Sequence, residues 1–319
     1  MTLLGSVACG LLSCYHKWRQ KSVLQVRIYW QWLEYTQRRA GVSRPLLLLN
    51  LDETSVKSAI PPPVGVVAES TPISVTKADW RGSSTLIAVV CSCPSMQELM
   101  PSFLICNKRR VSFAGLAVIQ RMCPNNFIVW RTDSAWNTAS GMIRILQKLS
   151  HQLAPFVQYC QPVLTLDAAP CHTALRVLEH ARKLNIKLVF IPAHCTPLLQ
   201  VLDVFIFKDL KAWLQREFQQ SRSLRAGGFV TTLDWFQILM RVPSFLQRRS
   251  WAVAFERTTA LSNGQVTRHL EALGVERATS LQPTPHDLAL LFPRRRLNML
   301  MYRALLGGRL HVYAHRIAI

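Results

Sequence analysis

Residues 45–54 read PLLLLNLDET, and the fold prediction starts from this stretch. Four consecutive leucines at 46–49 are followed by Asn50, Leu51 and Asp52. An unbroken apolar run of this kind is typical of a strand that is covered on both faces, as in the sheets of α/β proteins. The stretch therefore predicts a buried strand with the carboxylate of Asp52 at its carboxyl end.

An apolar run that ends in an aspartate occurs again at residues 162–167, PVLTLD. A third short run lies at 188–191, and a helical pattern at 173–184 separates the two. Strands that alternate with helices predict an α/β sheet. The segment between Asp167 and Asp203 holds one helix, one strand and one turn, so it could bring both carboxylates to one end of the sheet.

Weaker patterns complete the prediction of local structure. Further strands are predicted at 64–67, 71–75, 85–91, 101–106 and 127–130. Apolar residues at helical spacing predict helices at 22–39, 134–153 and 202–219, with Ser134 as the cap of the second. These patterns divide the chain into a short N-terminal helical segment (1–45), an α/β domain (46–220) and an Arg-rich helical C-terminal region (221–319).

The chain is strongly basic, with 38 Lys and Arg against 17 Asp and Glu, a net charge of +21 and a pI near 10.3. Such a charge attracts polyanions, of which nucleic acid is the commonest, so DNA is the predicted partner. The side chains predicted to contact DNA include Lys208, Lys211, Arg248, Arg249, Arg294, Arg295 and Arg296. Surface arginines are also often simply solvated, and charge alone does not identify a reaction.

The nine cysteines form no regular framework and include no CxxC pair, which predicts reduced thiols in an intracellular protein. Cys171 beside His172 and His194 beside Cys195 are not interpreted as metal sites, because adjacent side chains rarely bind one ion. The apolar stretch at 1–14 is too short to span a bilayer, and its flanking charges are wrong for a signal peptide. No membrane partner is expected.

Three aspartates follow apolar segments: Asp52, Asp167 and Asp203, the last of them after TPLLQVL. Carboxylate oxygens are the ligands that Mg²⁺ and Mn²⁺ prefer, so three together predict an ion site. Each aspartate alone also has a structural interpretation, because it could end a strand, cap a helix or lie in a helix N-terminus. The sequence around all three favours the ion site.

The sequence resembles the pogo/Tigger branch of the mariner-like DDE transposases. The resemblance rests on NLDETSV at 50–56, LTLDAAPCH at 164–172, VFIPAHCTPLLQVLDVFIFKDLK at 189–211, Trp136, and RRSWAVAFERT at 248–258. The chain departs from the family pattern at Val201, where proline is usual, and at Ala168, where asparagine is usual. The family places helix-turn-helix domains before its first strand, where this chain has residues 1–45. Weak, salt-sensitive and largely sequence-independent DNA binding is therefore expected.

The resemblance implies an α/β, RNase H-like fold: a mixed central sheet flanked by helices, with a helical C-terminal region. It implies metal-dependent cleavage and transfer of DNA strands, with two Mg²⁺ or Mn²⁺ ions bound by Asp52, Asp167 and Asp203. Asp52 would contact both ions, and Asp167 and Asp203 one each. A homodimer and a nuclear location are further expectations.

Two neighbours of the aspartates are given other roles. Side chains alternate along a strand, so Glu53 is placed on the opposite face from Asp52 and interpreted as structural or as a support for the site. His172 is interpreted as a DNA contact or a support, with capping of the next helix as the alternative. Two other functions stay open: a domesticated or decayed transposase that binds DNA without cutting it, and an RNase H-like nuclease acting on RNA or a hybrid.

Overall fold

The computed structural model describes residues 20–41, 44–57, 83–109, 111–193, 195–224, 231–258, 282–292 and 297–306. The strands are β1 (Leu46–Lys57), β2 (Ser83–Cys91), β3 (Ser102–Asn107), β4 (Phe127–Thr132), β5 (Gln161–Asp167) and β6 (Lys187–Ile191). The α-helices are α1 (Gln20–Gly41), α2 (Phe113–Met122), α3 (Ala139–Leu153), α4 (Leu175–Lys183), α5 (Thr196–Leu199), α6 (Phe207–Ser223), α7 (Thr232–Leu239), α8 (Val242–Gln247), α9 (Ala252–Arg257), α10 (Pro285–Leu291) and α11 (Met299–Leu306). A 3₁₀ helix at Pro94–Leu99 and a π-helical turn at Leu202–Ile206 complete the described elements.

The strands form one six-stranded sheet in the order β4-β3-β2-β1-β5-β6. β1, β2 and β3 make an antiparallel meander, β5 lies parallel to β1 on its other side, and β6 lies parallel to β5. β4 extends the other edge in parallel with β3. A three-stranded meander that continues into parallel strands through helical connections is the RNase H-like arrangement, so the predicted fold class is confirmed.

The buried runs of the sequence form the centre of this sheet. Leu48 of β1, Val89 of β2 and Leu164 of β5 have no exposed surface. Helix α1 packs beside β6, where the ring of Trp32 lies 6.0 Å from that of Phe190. The helix predicted at the N-terminus is thus present and packs against the sheet, while the domain boundary at residue 45 stays a prediction.

Strand β1 is longer than the sequence predicts, and this changes the position of Asp52. Residues 46–50 pair with β5, whereas residues 49–57 pair with β2. Asp52 consequently lies within β1, opposite Ala88, and not at the end of the strand. An apolar run marks the part of a strand that is covered on both faces. The strand β1 continues beyond its apolar run, because β2 forms backbone hydrogen bonds with the polar residues that follow.

Helix α3 begins at Ala139, not at the predicted Ser134. Ala135 has a left-handed backbone with φ of 57°, which a right-handed helix excludes. Thr138 is the cap instead, because its hydroxyl accepts a hydrogen bond from the Gly141 amide at 3.1 Å.

The other predicted elements agree more closely with the structure. The strands predicted at 85–91, 101–106, 127–130, 162–167 and 188–191 are present as β2 to β6. The helix predicted at 202–219 is divided into the π-helical turn and α6, and α2 has no counterpart in the prediction. The strands predicted at 64–67 and 71–75 lie outside the described residues.

The C-terminal region is helical where the structure describes it, from α7 to α11. Trp213 of α6 stacks on Phe245 of α8 with ring centroids 5.0 Å apart, which joins this region to the α/β core. Arg294, Arg295 and Arg296 lie outside the described residues. None of the described helices is both long and apolar enough to cross a membrane.

Candidate active site

A buried asparagine, Asn50, joins the segments that carry the three aspartates. Its side chain is fully buried, and its amide donates to the Thr165 carbonyl at 3.2 Å and to the Thr165 hydroxyl at 3.0 Å. Its carbonyl oxygen accepts a hydrogen bond from the Leu202 amide at 3.1 Å. The side-chain amide of Gln200 adds a bond to the Leu51 carbonyl at 3.1 Å. β1, β5 and the turn before α6 are therefore fixed to one another at this junction.

Each aspartate follows closely after a residue of this junction. Asn50 pairs with Thr165 across the parallel strands, so Asp52 and Asp167 occupy equivalent positions two residues further along. Neighbouring strands are about 4.8 Å apart. Asp203 directly follows the turn residue that Asn50 binds. The structure therefore brings the three segments of the predicted triad to one edge of the sheet.

The carboxylates of Asp52 and Asp203 repel each other. Burial, followed by the charge of Asp203 and then those of Asp167 and Glu53, raises the pKa of Asp52 to about 8. Burial and the charge of Asp167 also raise the pKa of Asp203, although its hydrogen bond with Asp52 and the charge of Lys211 act in the other direction. These effects favour the protonated form of Asp52, in which its carboxyl group can donate a hydrogen bond to Asp203.

Asp167 is part of a second arrangement, the carboxylate–histidine bridge, formed by Glu53, His172 and Asp167. Nδ1 of His172 lies 2.6 Å from Oδ1 of Asp167, and its Nε2 lies 3.2 Å from Oε1 of Glu53. The Glu53 oxygen also accepts a hydrogen bond from the Asn137 side chain at 2.8 Å. The imidazole thus donates to a carboxylate on each side, which requires both of its nitrogens to be protonated.

The contact between His172 and Asp167 favours the ionised form of both side chains. Burial acts to lower the pKa of His172, but its hydrogen bonds to Asp167, Cys171 and Glu53 raise it well above the ordinary value. Burial acts to raise the pKa of Asp167, but the hydrogen bond and charge of His172 lower it. The pKa values of neighbouring carboxylates are therefore shifted in opposite directions, upward for Asp52 and Asp203 and downward for Asp167.

The surroundings of His172 agree with its interpretation as a support of the site and leave little surface for the predicted DNA contact, which stays a prediction. Its side chain is only 2% exposed, and carboxylates engage both of its ring nitrogens. Helix α4 begins later, with Ala174 as its cap, so the capping alternative does not apply either. Glu53 contacts His172 and Asn137, which agrees with a supporting role.

Glu53, Cys171 and His172 also form a compact group, because their ligand atoms all lie within 4.8 Å of one another. Among the described residues, Asp52, Asp167 and Asp203 do not form a group as tight as this. A protonated imidazole has no lone pair left for a metal ion. We therefore interpret the group around His172 as a hydrogen-bonded support and not as a metal site.

Asn137 is a residue of this region that sequence reasoning missed. Its side-chain oxygen accepts a hydrogen bond from the Thr138 amide at 2.9 Å, while its amide group binds Glu53. A Cβ atom on Gly141 would lie 2.4 Å from that oxygen, so only glycine leaves room for it. The neighbouring Trp136, which is part of the motif resemblance, is 64% exposed.

The basic side chains predicted to contact DNA have varied surroundings. Lys208 and Lys211 are exposed on α6, and the Lys211 ammonium lies 5.9 Å from the centre of the Phe207 ring. The Arg248 guanidinium lies over Trp213, at 5.7 Å. Arg249 forms an ion pair with Asp209 at 2.6 Å and lies over Trp251. Of these four cations, Lys211 acts on one of the aspartates, because its charge acts to lower the pKa of Asp203.

Comparison with known proteins adds three findings. Among solved structures, the Mos1 transposase paired-end complex with left transposon end is 12% identical with a TM-score of 0.36, over 74% of this chain and 63% of that one. The Mos1 strand transfer complex is 11% identical with a TM-score of 0.40, over 83% and 64%. This chain thus spans less than two thirds of either protein. No curated protein matches the sequence.

The match to a protein family is more direct. Residues 84–239 match the model of the DDE superfamily endonuclease. The matched segment contains Asp167, His172 and Asp203, and it begins after Asp52. The pogo/Tigger branch stays a prediction from the motifs. Residues 84–239, just under half of the chain, are thus similar to the DDE superfamily endonuclease, and they form part of the RNase H-like sheet.

Proposed function

We propose that this chain is a transposase-type endonuclease that cuts and transfers DNA strands, with Asp52, Asp167 and Asp203 as its catalytic carboxylates. The observation that carries the proposal is the crowding of negative charge at Asp52, whose pKa burial and the neighbouring carboxylates raise to about 8. Carboxylates that repel one another in this way are stabilised when a divalent cation binds among them. The family match supports the class of reaction.

The donor set fits a hard divalent cation, because all three groups offer carboxylate oxygens. When bound, two Mg²⁺ or Mn²⁺ ions would polarise the phosphodiester and activate the attacking hydroxyl. Asp52 would give up its proton as a cation binds. Asp167 is already held ionised by His172, and Asn50 keeps β5 and the turn with Asp203 beside β1.

DNA is the proposed partner because the chain carries a net charge of +21. The homodimer, the nuclear location and the pogo/Tigger branch are parts of the same proposal. Assembly can be measured by analytical ultracentrifugation with and without duplex DNA.

The test is nicking of supercoiled plasmid by the purified chain with Mg²⁺, with Mn²⁺ and with a chelator. Asp203→Asn is expected to lower the nicking rate at least about 100-fold, since even the partners of metal ligands are worth about 10–100-fold. Asp133→Asn is the matched control, because Asp133 is exposed and follows β4, three strands away from β1.

Four outcomes would contradict the proposal. Nicking that continues in the chelator, or that Asp203→Asn leaves unchanged, would remove the role of the carboxylates. DNA binding without any metal-dependent nicking would favour the non-catalytic DNA-binding protein. Preferred cleavage of an RNA–DNA hybrid over duplex DNA would favour the RNase H-like nuclease instead.

A further inference from the structure

A small cavity lies at the opposite end of the parallel strands, among α1, α4, β6 and α11. Its volume is about 30 Å³, which exceeds the ~10–15 Å³ that a water molecule needs. Three of the side chains that line it are basic: Arg39, Arg182 and Lys187. The cavity therefore combines restricted space with concentrated positive charge.

Hydroxyl groups and backbone carbonyls orient one of these cations. The Arg39 guanidinium donates to the Tyr35 hydroxyl at 3.1 Å and to the Leu306 carbonyl, and Tyr35 and Leu306 both line the cavity. Thr36 adds a second hydroxyl to the wall, and its side chain is buried. Cations and hydroxyls together are the donor set that binds a phosphate group.

The positive charges lie close enough to repel one another. Burial, followed by the charges of Arg39, Arg44 and Arg182, lowers the pKa of Lys187. The ion pairs found among the described residues include none with Arg44, Arg182 or Lys187. An anion that binds in the cavity would relieve this repulsion.

Helix geometry explains only part of the cluster. Arg39 and Arg182 lie in the last turns of α1 and α4, where basic side chains stabilise the helix ends. Lys187 is different, because it is half-buried at the start of β6 and belongs to no helix. A half-buried lysine among arginines is not accounted for by helix stability.

The cavity is separate from the aspartates. Lys187 pairs with Val163 on β5, and Asp167 lies at the other end of the same pairing, opposite Ile191. Four residues of strand correspond to about 13 Å. The two regions therefore lie at opposite ends of β5 and β6.

We infer that Arg39, Arg182 and Lys187 form a binding site for a phosphate group, with a phosphodiester of a DNA strand as the favoured source. This choice of source rests on the proposed function, since a chain that cuts DNA must hold the strand beyond the cleaved bond. A free phosphate ion offers the same chemistry.

The experiment measures binding of a short fluorescent DNA duplex to the full chain, without metal, over a series of salt concentrations. The Arg182→Gln, Lys187→Gln double variant is expected to reduce the slope of log affinity against log salt by about 0.9, because the site holds one phosphate and each phosphate that the protein neutralises contributes about 0.9. Lys183→Gln is the matched control, because Lys183 is the next residue of α4 and does not line the cavity. For this control, the slope of log affinity against log salt is expected to change by less than half as much as for the double variant.

A second measurement separates the two sources of phosphate. Inorganic phosphate is expected to raise the melting temperature of the wild type and of Lys183→Gln, but not that of the double variant. If phosphate does so while the DNA slope is unchanged, the site binds the free ion. If Lys187→Gln lowers the melting temperature by itself, Arg182→Gln alone provides the test, with an expected slope change of about 0.9.

The inference is overturned if neither measurement responds to the double variant, or if Lys183→Gln has an equal effect, which would mean diffuse surface charge. Because no metal is present, failure of the nicking test described above would leave these results unaffected. The two proposals can therefore fail independently.

Discussion

The two halves of the candidate site differ in whether the fold supplies a counter-charge. Asp52 and Asp203 form one half, and Glu53 and Asp167 form the other. His172 lies between Glu53 and Asp167 and places one positive charge in contact with both. Around Asp52, by contrast, the neighbouring carboxylates add to the effect of burial and raise its pKa to about 8. One half of the site thus has a counter-charge in direct contact with its carboxylates, whereas the other half has only the charge of Lys211, which acts on Asp203. A divalent cation would supply that charge where it is missing.

Replacing Asn50 is expected to have the largest effect, because Asn50 holds both halves together. Asn50→Ala removes three hydrogen bonds and leaves the buried Leu202 amide without its partner. We expect the free energy of unfolding to fall by about 3–4 kcal/mol. Each buried polar group that is left without a hydrogen bond costs about 1–3 kcal/mol. Urea denaturation measures it, with Asn107→Ala as the control, since Asn107 makes its bonds at the exposed end of β3. Equal losses in the two variants would refute a special role for Asn50.

Removing His172 takes away the counter-charge of one half only. His172→Ala leaves the half-buried carboxylates of Glu53 and Asp167 facing each other. Breaking a fully buried ion pair costs about 3–5 kcal/mol, and the partial exposure of Asp167 reduces the expected loss to about 2–3 kcal/mol. His180→Ala is the control, because the Nε2 of His180 has no hydrogen-bond partner among the described residues. A loss below about 1 kcal/mol for His172→Ala would show that the bridge does not stabilise the fold.

A pH series that compares wild type with Asp52→Asn isolates the contribution of Asp52 from that of the bridge. The raised pKa of Asp52 gives a contribution to stability that is complete below its unfolded pKa near 3.8 and is lost as pH rises through about 8. The raised pKa of His172 acts in the same direction above its ordinary value of 6.5, whereas the lowered pKa of Asp167 gives stability that is lost only in acid. Between pH 6 and 8, wild type is expected to lose about 1–2 kcal/mol more than Asp52→Asn, after allowance for solvent screening.

The same series with Mg²⁺ tests whether a cation replaces the missing charge. A cation bound beside Asp52 favours its ionised form and should reduce the difference between wild type and Asp52→Asn. Urea denaturation at each pH, with and without Mg²⁺, measures both effects. Parallel curves for the two proteins at all pH values would mean that Asp52 does not titrate in this range.

The smallest expected effect concerns the support of Glu53 by Asn137. Gly141 and Gly115 are a matched pair, since each is the third residue of its helix and donates its amide to the cap hydroxyl, at 3.1 and 3.0 Å. A Cβ atom would lie 2.4 Å from Asn137 Oδ1 at Gly141, but 3.2 Å from Ser112 Oγ at Gly115. Both substitutions to alanine gain up to about 1 kcal/mol of helix propensity. Gly141→Ala is expected to be about 1 kcal/mol less stable than Gly115→Ala in thermal or urea unfolding, and equal values would refute the role of Asn137.

Much of the fold could be predicted from local pattern. The runs that end in Asp52 and Asp167 are buried strands in the structure, because long apolar runs are stable only when both faces are covered. The end of β1 could not be predicted, since it depends on pairing with β2. Ala135 misled the prediction of α3 because a left-handed residue leaves no periodic signal.

The α/β alternation and the positions of three aspartates beside apolar segments follow from the sequence alone, since both are consequences of burial along a continuous stretch. Which groups meet depends on the tertiary structure. Asn50 binds residues of β5 and of the turn before α6, and His172 joins Glu53 to Asp167 across two strands. Apart from the contact between His172 and Asp167, these contacts link residues more than a hundred positions apart. Only strand register and turn geometry can align them, because hydrogen bonds need donor and acceptor within about 3 Å.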